Sequence, residues 1–311
     1  MELHFLGTGA GMPSKERNVS SVALKFLQTG GEIWLFDCGE ATQHQILHTS
    51  LKPRKINKIF ITHLHGDHLF GLPGLLGSRS FQNGEESPVS IYGPKGIKAF
   101  IDTSLNISQT HLTYPIQVIE IDEGLICEEE GRRVYAKKLE HVIPCFGFRV
   151  EEQAQPGKLE AGLLKKMGLP PGPLYQQLKE GRDITLEDGT VLKSSEFVSP
   201  PVPGRIVAIL GDTKYCENAV ELGRDAEVLI HEATVLHELA EKAAEFGHSS
   251  ARSAAVTARR ANAAALILNH ISSRYHKEEK TLLLKEAREV FPNTQIADDF
   301  SVFPIEKLSK K

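Results

Sequence analysis

The first third of the chain alternates short apolar runs with glycine-bearing turns, the texture of strands rather than long helices. Residues 3–6 form one run, closed by Gly7, Gly9 and Gly11. Val22, Leu24 and Phe26 alternate with small or polar positions, the period of two expected of a half-buried strand. Residues 33–36 form another run, stopped by Asp37, Cys38 and Gly39, and a helical stretch at 40–48 follows. Residues 58–62 (KIFIT) read as a strand, as do residues 89–92; a helix and further strands then lead to Phe148. Buried strands return at 206–210, 228–230 and 265–268. An alanine-rich helix lies at 249–261, a charged helix at 278–290 and a last strand at 301–305.

Between 152 and 203 the texture changes. Pro156, Pro170, Pro171, Pro173, Pro200, Pro201 and Pro203 interrupt a polar, lysine-bearing stretch with little periodicity. Compact domains seldom hold an irregular segment this long unless it is functional or mobile. It is expected to be a flexible arm, with a short helix at 158–167, inserted in a single domain spanning 1–311. Strands and helices alternate in similar halves on either side of it, which predicts an α/β protein of two sheets sandwiched between helices.

Composition changes little. The 311 residues are 41% hydrophobic and 24% charged, ordinary for a globular chain. No apolar run approaches the roughly 20 residues needed to cross a bilayer, and residues 1–11 lack the basic-then-apolar pattern of a signal peptide. The four cysteines, Cys38, Cys127, Cys145 and Cys216, form no CxxC pair and read as reduced thiols. A cytoplasmic protein is expected. The net charge of −4 argues mildly against a nucleic-acid partner, although binding is local and net charge is not.

The chemistry is concentrated in Thr62-His63-Leu64-His65-Gly66-Asp67-His68. Burying three imidazoles and a carboxylate is costly without a partner that satisfies them. The segment follows the strand at 58–62, where α/β sheets place their sites. Extended backbone points His63 and His65 to one face, and a turn at Gly66 brings Asp67 and His68 toward a second metal. Nitrogen and carboxylate donors without thiolate suit catalytic zinc better than structural zinc. Gly7-Thr8-Gly9-Ala10-Gly11 does not open a helix, so it reads as a tight turn near the metals rather than a dinucleotide loop. His4, His44, His48, His111, His237 and His276 read as ordinary strand, helix or surface residues, and Cys38 and Cys145 as buried apolar residues.

The HxHxDH segment resembles the metallo-β-lactamase superfamily. That resemblance implies an αββα sandwich of two mixed sheets and three further ligands at strand ends: His141, Asp212 and His270. Pro13-Ser14-Lys15-Glu16-Arg17-Asn18 fits the PxKxRN loop of the short-form tRNase Z (ribonuclease Z) family. His231-Glu232-Ala233-Thr234 fits its HEAT loop, and His248-Ser249-Ser250 resembles its HST loop with serine for threonine. The arm, with Gly172-Pro173, stands where these enzymes carry an exosite for the transfer-RNA elbow.

The resemblance implies two Zn2+ per subunit, a homodimer and cleavage of precursor tRNA. The expected reaction removes the 3′ trailer, leaving a 3′-hydroxyl on the tRNA and a 5′-phosphate on the trailer. His63, His65 and His141 would hold one zinc; Asp67, His68 and His270 would hold the other, with Asp212 between them. Asp67 would orient the attacking water, and His248, set by Glu232, would protonate the leaving oxygen. Lys15, Arg17, Asn18 and Arg274 are expected near the scissile phosphate, and Lys158, Lys165, Lys166, Lys179, Gly172 and Pro173 on the exosite. The alternative within this fold is a phosphodiesterase for cyclic nucleotides or other small phosphodiesters, which would have little use for the arm. A thioester or β-lactam hydrolase fits the additional loops less well, and a non-catalytic RNA-binding protein would not need every ligand.

Overall fold

The computed structural model describes residues 1–82, 87–155, 157–276 and 279–306. It divides into two compact units: Met1–Val150 with Ile206–Lys311, and Glu151–Arg205.

The larger unit contains two seven-stranded sheets. The first runs Val302–Pro304, Glu2–Gly7, Ser21–Phe26, Glu32–Phe36, Ile56–Phe60, Val89–Gly93, Ile116–Glu120. The second runs Thr294–Ile296, Leu266–Asn269, Val228–Glu232, Ile206–Ile209, Cys145–Glu152, Arg132–Leu139, Gly124–Glu129. Both mix parallel and antiparallel pairs. The expected sandwich is present, but the halves do not divide at residue 152. The three strands between Gly124 and Glu152 precede that point yet belong to the second sheet, and Val302–Pro304 returns to the first.

Alternation explains the layers, because successive strand side chains face opposite ways. The inner faces bury Phe5, Leu24, Trp34, Phe36, Phe60, Phe148, Ile209 and Ile230 in one cluster. Phe148 of the second sheet lies 5.4 Å from Phe60 and 5.9 Å from Phe36 of the first, ring centre to ring centre. The outer face of the first sheet packs on helices Thr42–Leu47, Leu72–Ser80 and Ile97–Ile107 through Ile46, Leu75, Leu76, Ile97 and Ile101. The outer face of the second packs on Glu217–Leu222, Ala251–Arg260 and Lys280–Arg288. Ala251, Ala254, Ala255 and Ala258 let the middle helix approach closely, and Ser250 caps it by accepting the Ser253 amide. The charged helix expected from 278 is seen over Lys280–Arg288; Glu278 lies outside the described residues, as does Pro156. All four cysteines are buried free thiols.

The smaller unit is folded, where an irregular, flexible arm is expected from its prolines. Helices Ala161–Lys166, Pro173–Lys179 and Ser194–Phe197 and a hairpin of Ile184–Thr185 with Val191–Leu192 enclose Leu164, Leu178, Ile184, Leu192 and Phe197. Gly172 precedes the second helix and Pro173 opens it, where a missing N–H costs nothing. Among the described residues, no helix is long and apolar enough to cross a membrane.

Phe148→Ala should cost about 3–5 kcal/mol, the usual loss for a fully buried aromatic side chain. Guanidinium unfolding of the full chain measures it, and a loss under about 1 kcal/mol would contradict tight packing between the sheets.

Candidate metal centre and active site

Strand ends and the loops after them deliver the polar side chains. The strand Ile56–Phe60 stops before Thr62, so His63 and His65 lie on the extended chain beyond it. Gly66 does not make a simple turn: it opens a one-turn helix, Gly66–Leu69, that carries Asp67 and His68. His141 follows Arg132–Leu139, Asp212 follows Ile206–Ile209, and His270 follows Leu266–Asn269. His270 has a φ of 55°, a left-handed conformation that non-glycine residues adopt rarely.

These side chains converge. His65 Nδ1 lies 3.1 Å from His63 Nε2 and 3.2 Å from His141 Nε2. His68 Nε2 lies 3.3 Å from His270 Nε2 and 3.5 Å from Asp67 Oδ2, and His270 Nε2 is 3.4 Å from Asp67 Oδ2. Asp212 reaches both groups: Oδ1 is 3.5 Å from His68 Nε2, while Oδ2 is 3.3 Å from His270 Nε2 and 3.7 Å from His63 Nε2.

Most of these contacts are not hydrogen bonds, as the ring tautomers demonstrate. His141 Nδ1 donates to Gly247 O at 2.9 Å, and His68 Nδ1 to Asp37 Oδ2 at 2.7 Å. The Thr62 hydroxyl gives its single hydrogen to Asp37 Oδ2, so it accepts from His63 Nδ1 at 2.9 Å. The Thr234 hydroxyl donates to Glu232 Oε2 and accepts from His270 Nδ1 at 3.1 Å. In the neutral rings, four Nε2 lone pairs are therefore turned toward the cluster. A cation held at about 2.0–2.1 Å by a tetrahedral set of nitrogen and oxygen donors separates neighbouring donors by about 3.3 Å. The observed spacings match that figure, and the hydrogen bonds behind each ring are those that orient metal-ligating histidines. The donor set fits a metal.

Electrostatics point the same way. Burial pulls the His63 imidazole down, reinforced by the neighbouring His68. Burial would lower His68 too, but the charges of Asp212 and Asp37 outweigh it and raise it well above the usual range. Burial would raise Asp212, yet the charges of His270, His68 and His63 hold it well below the carboxylate range. Asp67 is likewise held low, against its burial, by the adjacent His270 and His68 imidazoles. These groups demand positive charge among them, which bound metal supplies.

Glu232 and His248 adjoin the centre. Buried Glu232 accepts from Thr213 N (2.8 Å), Thr234 Oγ1 (2.6 Å), Ser249 N (3.0 Å) and His248 Nδ1 (3.0 Å). Its lone-pair sites are taken, so it serves as an anchor. Burial lowers His248, but the Glu232 bond and the charges of Glu232 and Asp212 prevail and raise it to about 9.

The residues expected around a substrate divide. Lys15 and Arg274 are exposed, with Arg274 Nε 3.2 Å from Ser272 Oγ. Arg17 is not exposed: it is 5% accessible, and its guanidinium is spent on Thr8 Oγ1, Ala297 O and Asp298 Oδ1. Asn18 donates its side-chain amide to Glu40 O. In the smaller unit Lys158, Lys165, Lys166 and Lys179 are exposed, and Lys158, Gly172 and Lys179 line a groove of about 750 Å³ with Pro171 and Tyr175. His44 and His48 are exposed, and His4 bonds Glu2.

Sequence reasoning missed Asp37, which holds both His68 and Thr62, although an acid directly after the apolar run at 33–36 was a signal. It also missed the Gly11 amide, which donates to Asp67 Oδ2 at 2.8 Å. The glycine-rich start is a close backbone approach: a Cβ on Gly7 would lie 1.7 Å from Val19 O.

Residues 1–153 match the family model described as "Anti-Pycsar protein Apyc1". YhfI from Bacillus subtilis, a metallo-β-lactamase fold protein, superposes with a TM-score of 0.66 at 19% identity, covering 97% of this chain and 98% of its own. The short form of human tRNase Z superposes with a TM-score of 0.72 at 34% identity, covering 98% and 100%. Fold and donor cluster together define a metal-dependent hydrolase of the metallo-β-lactamase fold. Ribonuclease Z of Geobacillus kaustophilus (strain HTA426) is 58% identical over 305 residues, 98% of this chain and 99% of that protein. The chain belongs to the ribonuclease Z family.

Asp37→Ala removes the acceptor behind His68, and such losses typically weaken metal binding about 10- to 100-fold. Competition with a calibrated zinc chelator measures the affinity, with a melting curve to show the variant is folded. Unchanged affinity would remove Asp37 from the centre.

Proposed function

We propose that the chain is a zinc-dependent endoribonuclease that removes the 3′ trailer from precursor tRNA. The observation that carries this reading is a relationship to ribonuclease Z extending over 98% of the chain, through the smaller unit as well as the larger. The family model named for Apyc1 stops at residue 153, before most of the smaller unit.

In this reading one catalytic domain spans 1–311, and 152–203 is an inserted exosite arm. His63, His65 and His141 would hold one Zn2+, and Asp67, His68 and His270 the other, with Asp212 contacting both. When bound, two such ions make a nucleophilic oxygen available near neutral pH and offset charge on the phosphoryl group. Asp67, restrained by the Gly11 amide, orients the attacking water and takes its proton. His248 gives a proton to the departing ribose 3′-oxygen. Its Nδ1 is tied to Glu232, so Nε2 is the atom available for transfer. Lys15 and Arg274 contact phosphates near the scissile bond. Lys158, Lys165, Lys166 and Lys179, with the Gly172-Pro173 turn, hold the RNA backbone by shape and charge. The active form is a cytoplasmic homodimer.

An end-labelled tRNA precursor incubated with zinc-loaded protein should be cut once, just after the discriminator base, and Asp67→Ala should abolish the cut. Intact precursor in the presence of protein that still hydrolyses bis(4-nitrophenyl) phosphate would transfer the function to small phosphodiesters.

His248 must be protonated to act, and its pKa is raised to about 9. The single-turnover rate should hold through neutral pH and fall as pH rises through that value, where the proton is lost. His248→Gln should lose about 10²–10⁴ in rate, the usual worth of a general acid, and lose that alkaline fall. An alkaline limb that survives the substitution belongs to another group.

A further inference from the structure

Arg17, expected at the phosphate, faces inward. Its Nη1 donates to Thr8 Oγ1 at 2.6 Å and Ala297 O at 2.7 Å, and its Nη2 to Asp298 Oδ1 at 2.7 Å. Asp298 also takes Lys280 Nζ at 2.6 Å. Next along the chain, Asp299 accepts from Thr8 Oγ1 (2.7 Å), Asn18 N (2.7 Å) and Gln45 Nε2 (3.0 Å). Thr8 has one hydroxyl hydrogen and gives it to Asp299, so it accepts from Arg17. Donor and acceptor directions thus run one way, from guanidinium through hydroxyl to carboxylate, an arrangement in which each bond polarises the next.

Thr8 is where this chain of bonds meets the centre. Its carbonyl accepts the Ile271 amide at 2.8 Å, immediately after His270. Gly9–Ala10 pairs in parallel with Ile271–Ser272, and Gly11, one residue on, donates to Asp67 Oδ2. His270 sits at a φ of 55°, and a strained residue of this kind persists only where its surroundings over-determine it.

We propose that Arg17 and Asp299 are positioning residues that act through Thr8: they lock the Gly9–Gly11 segment, which in turn fixes the Asp67 carboxylate and the His270 backbone, and they do not touch RNA. Freeing the Arg17 guanidinium for a phosphate would take its hydrogen bonds from the buried Thr8 Oγ1 and Ala297 O, and depriving buried acceptors of a partner is costly. In the same loop Lys15 is exposed and makes none of these bonds, so phosphate contact falls to it. The inference rests on the endoribonuclease reading for its substrate, but its geometry concerns only the centre.

The test compares Arg17→Ala, Arg17→Lys, Asp299→Asn and Lys15→Ala on precursor tRNA and on bis(4-nitrophenyl) phosphate, with kcat, KM and zinc affinity measured for each. Arg17→Ala and Asp299→Asn should lower kcat on both substrates by a common factor of about ten or more, with RNA KM within about twofold of the parent, the pattern of a misplaced centre. Arg17→Lys should recover only part of the loss, because an ammonium lacks the planar fork. Lys15→Ala should raise RNA KM. An Arg17→Ala protein with raised RNA KM and normal turnover of the small substrate would overturn the proposal, as would full kcat in Asp299→Asn. If Arg17→Ala does not fold, Asp299→Asn and Arg17→Lys decide it. If the parent protein cuts no precursor, the RNA reading fails, and kcat on the small substrate still settles the brace.

Discussion

The hydrogen bonds behind the imidazoles are the interaction on which the rest of the structure depends. Thr62, Asp37, Gly247 and Thr234 each take one ring N–H and turn the opposite nitrogen inward. Facing lone pairs repel, so this arrangement is tolerable only around positive charge, and Asp67 and Asp212 reinforce the demand. The supporting groups come from both sheets: Asp37 and Thr62 follow strands of the first, while Thr234 and His270 follow strands of the second. The aromatic packing of Phe36, Phe60 and Phe148 that joins the sheets therefore also sets the distances at the centre. Stability and chemistry share one framework.

Much of this was legible beforehand. Strand positions followed from apolar runs because most of these strands are buried and short, and local pattern suffices for such elements. The His63–His68 segment announced metal chemistry because nothing else explains so many polar groups at a strand end. Asp37 was harder to see: a single acid after a strand looks like a turn residue until the fold sets it against His68. The burial of Arg17 is hidden from the sequence for the opposite reason. A basic residue in a polar loop suggests an exposed phosphate contact, and only tertiary structure brings Thr8, Ala297 and Asp298 around it. Parity of the two halves also failed, since three strands preceding residue 152 pair with the second sheet.

The smaller unit shows a different limit. Its seven prolines and many lysines read as irregular chain, yet Leu164, Leu178, Ile184, Leu192 and Phe197 form a core. These residues are spread across helices of four to seven residues and a hairpin of two-residue strands, so no window is long enough to display a period. Pro173 opens a helix, and a core forms between these prolines all the same. Small cores of this kind are marginal, and this one leaves its lysines exposed.

Backbone conformation completes the argument about the centre. Asp37 and His270 both have positive φ, 58° and 55°, and both touch His68. Glycine would relieve roughly 1–2 kcal/mol of left-handed strain at each position. It would also remove the side chain, and at Asp37 that side chain accepts from Thr62 N, Thr62 Oγ1 and His68 Nδ1 together. The strain is therefore retained where a side chain must leave a strand end at an angle that ordinary backbone does not reach. Such residues need neighbours that hold them in place, and the network from Arg17 through Thr8 to Ile271 holds the chain directly after His270. A loop that looks built for substrate is, in its buried half, part of what keeps the strained ligand where it is.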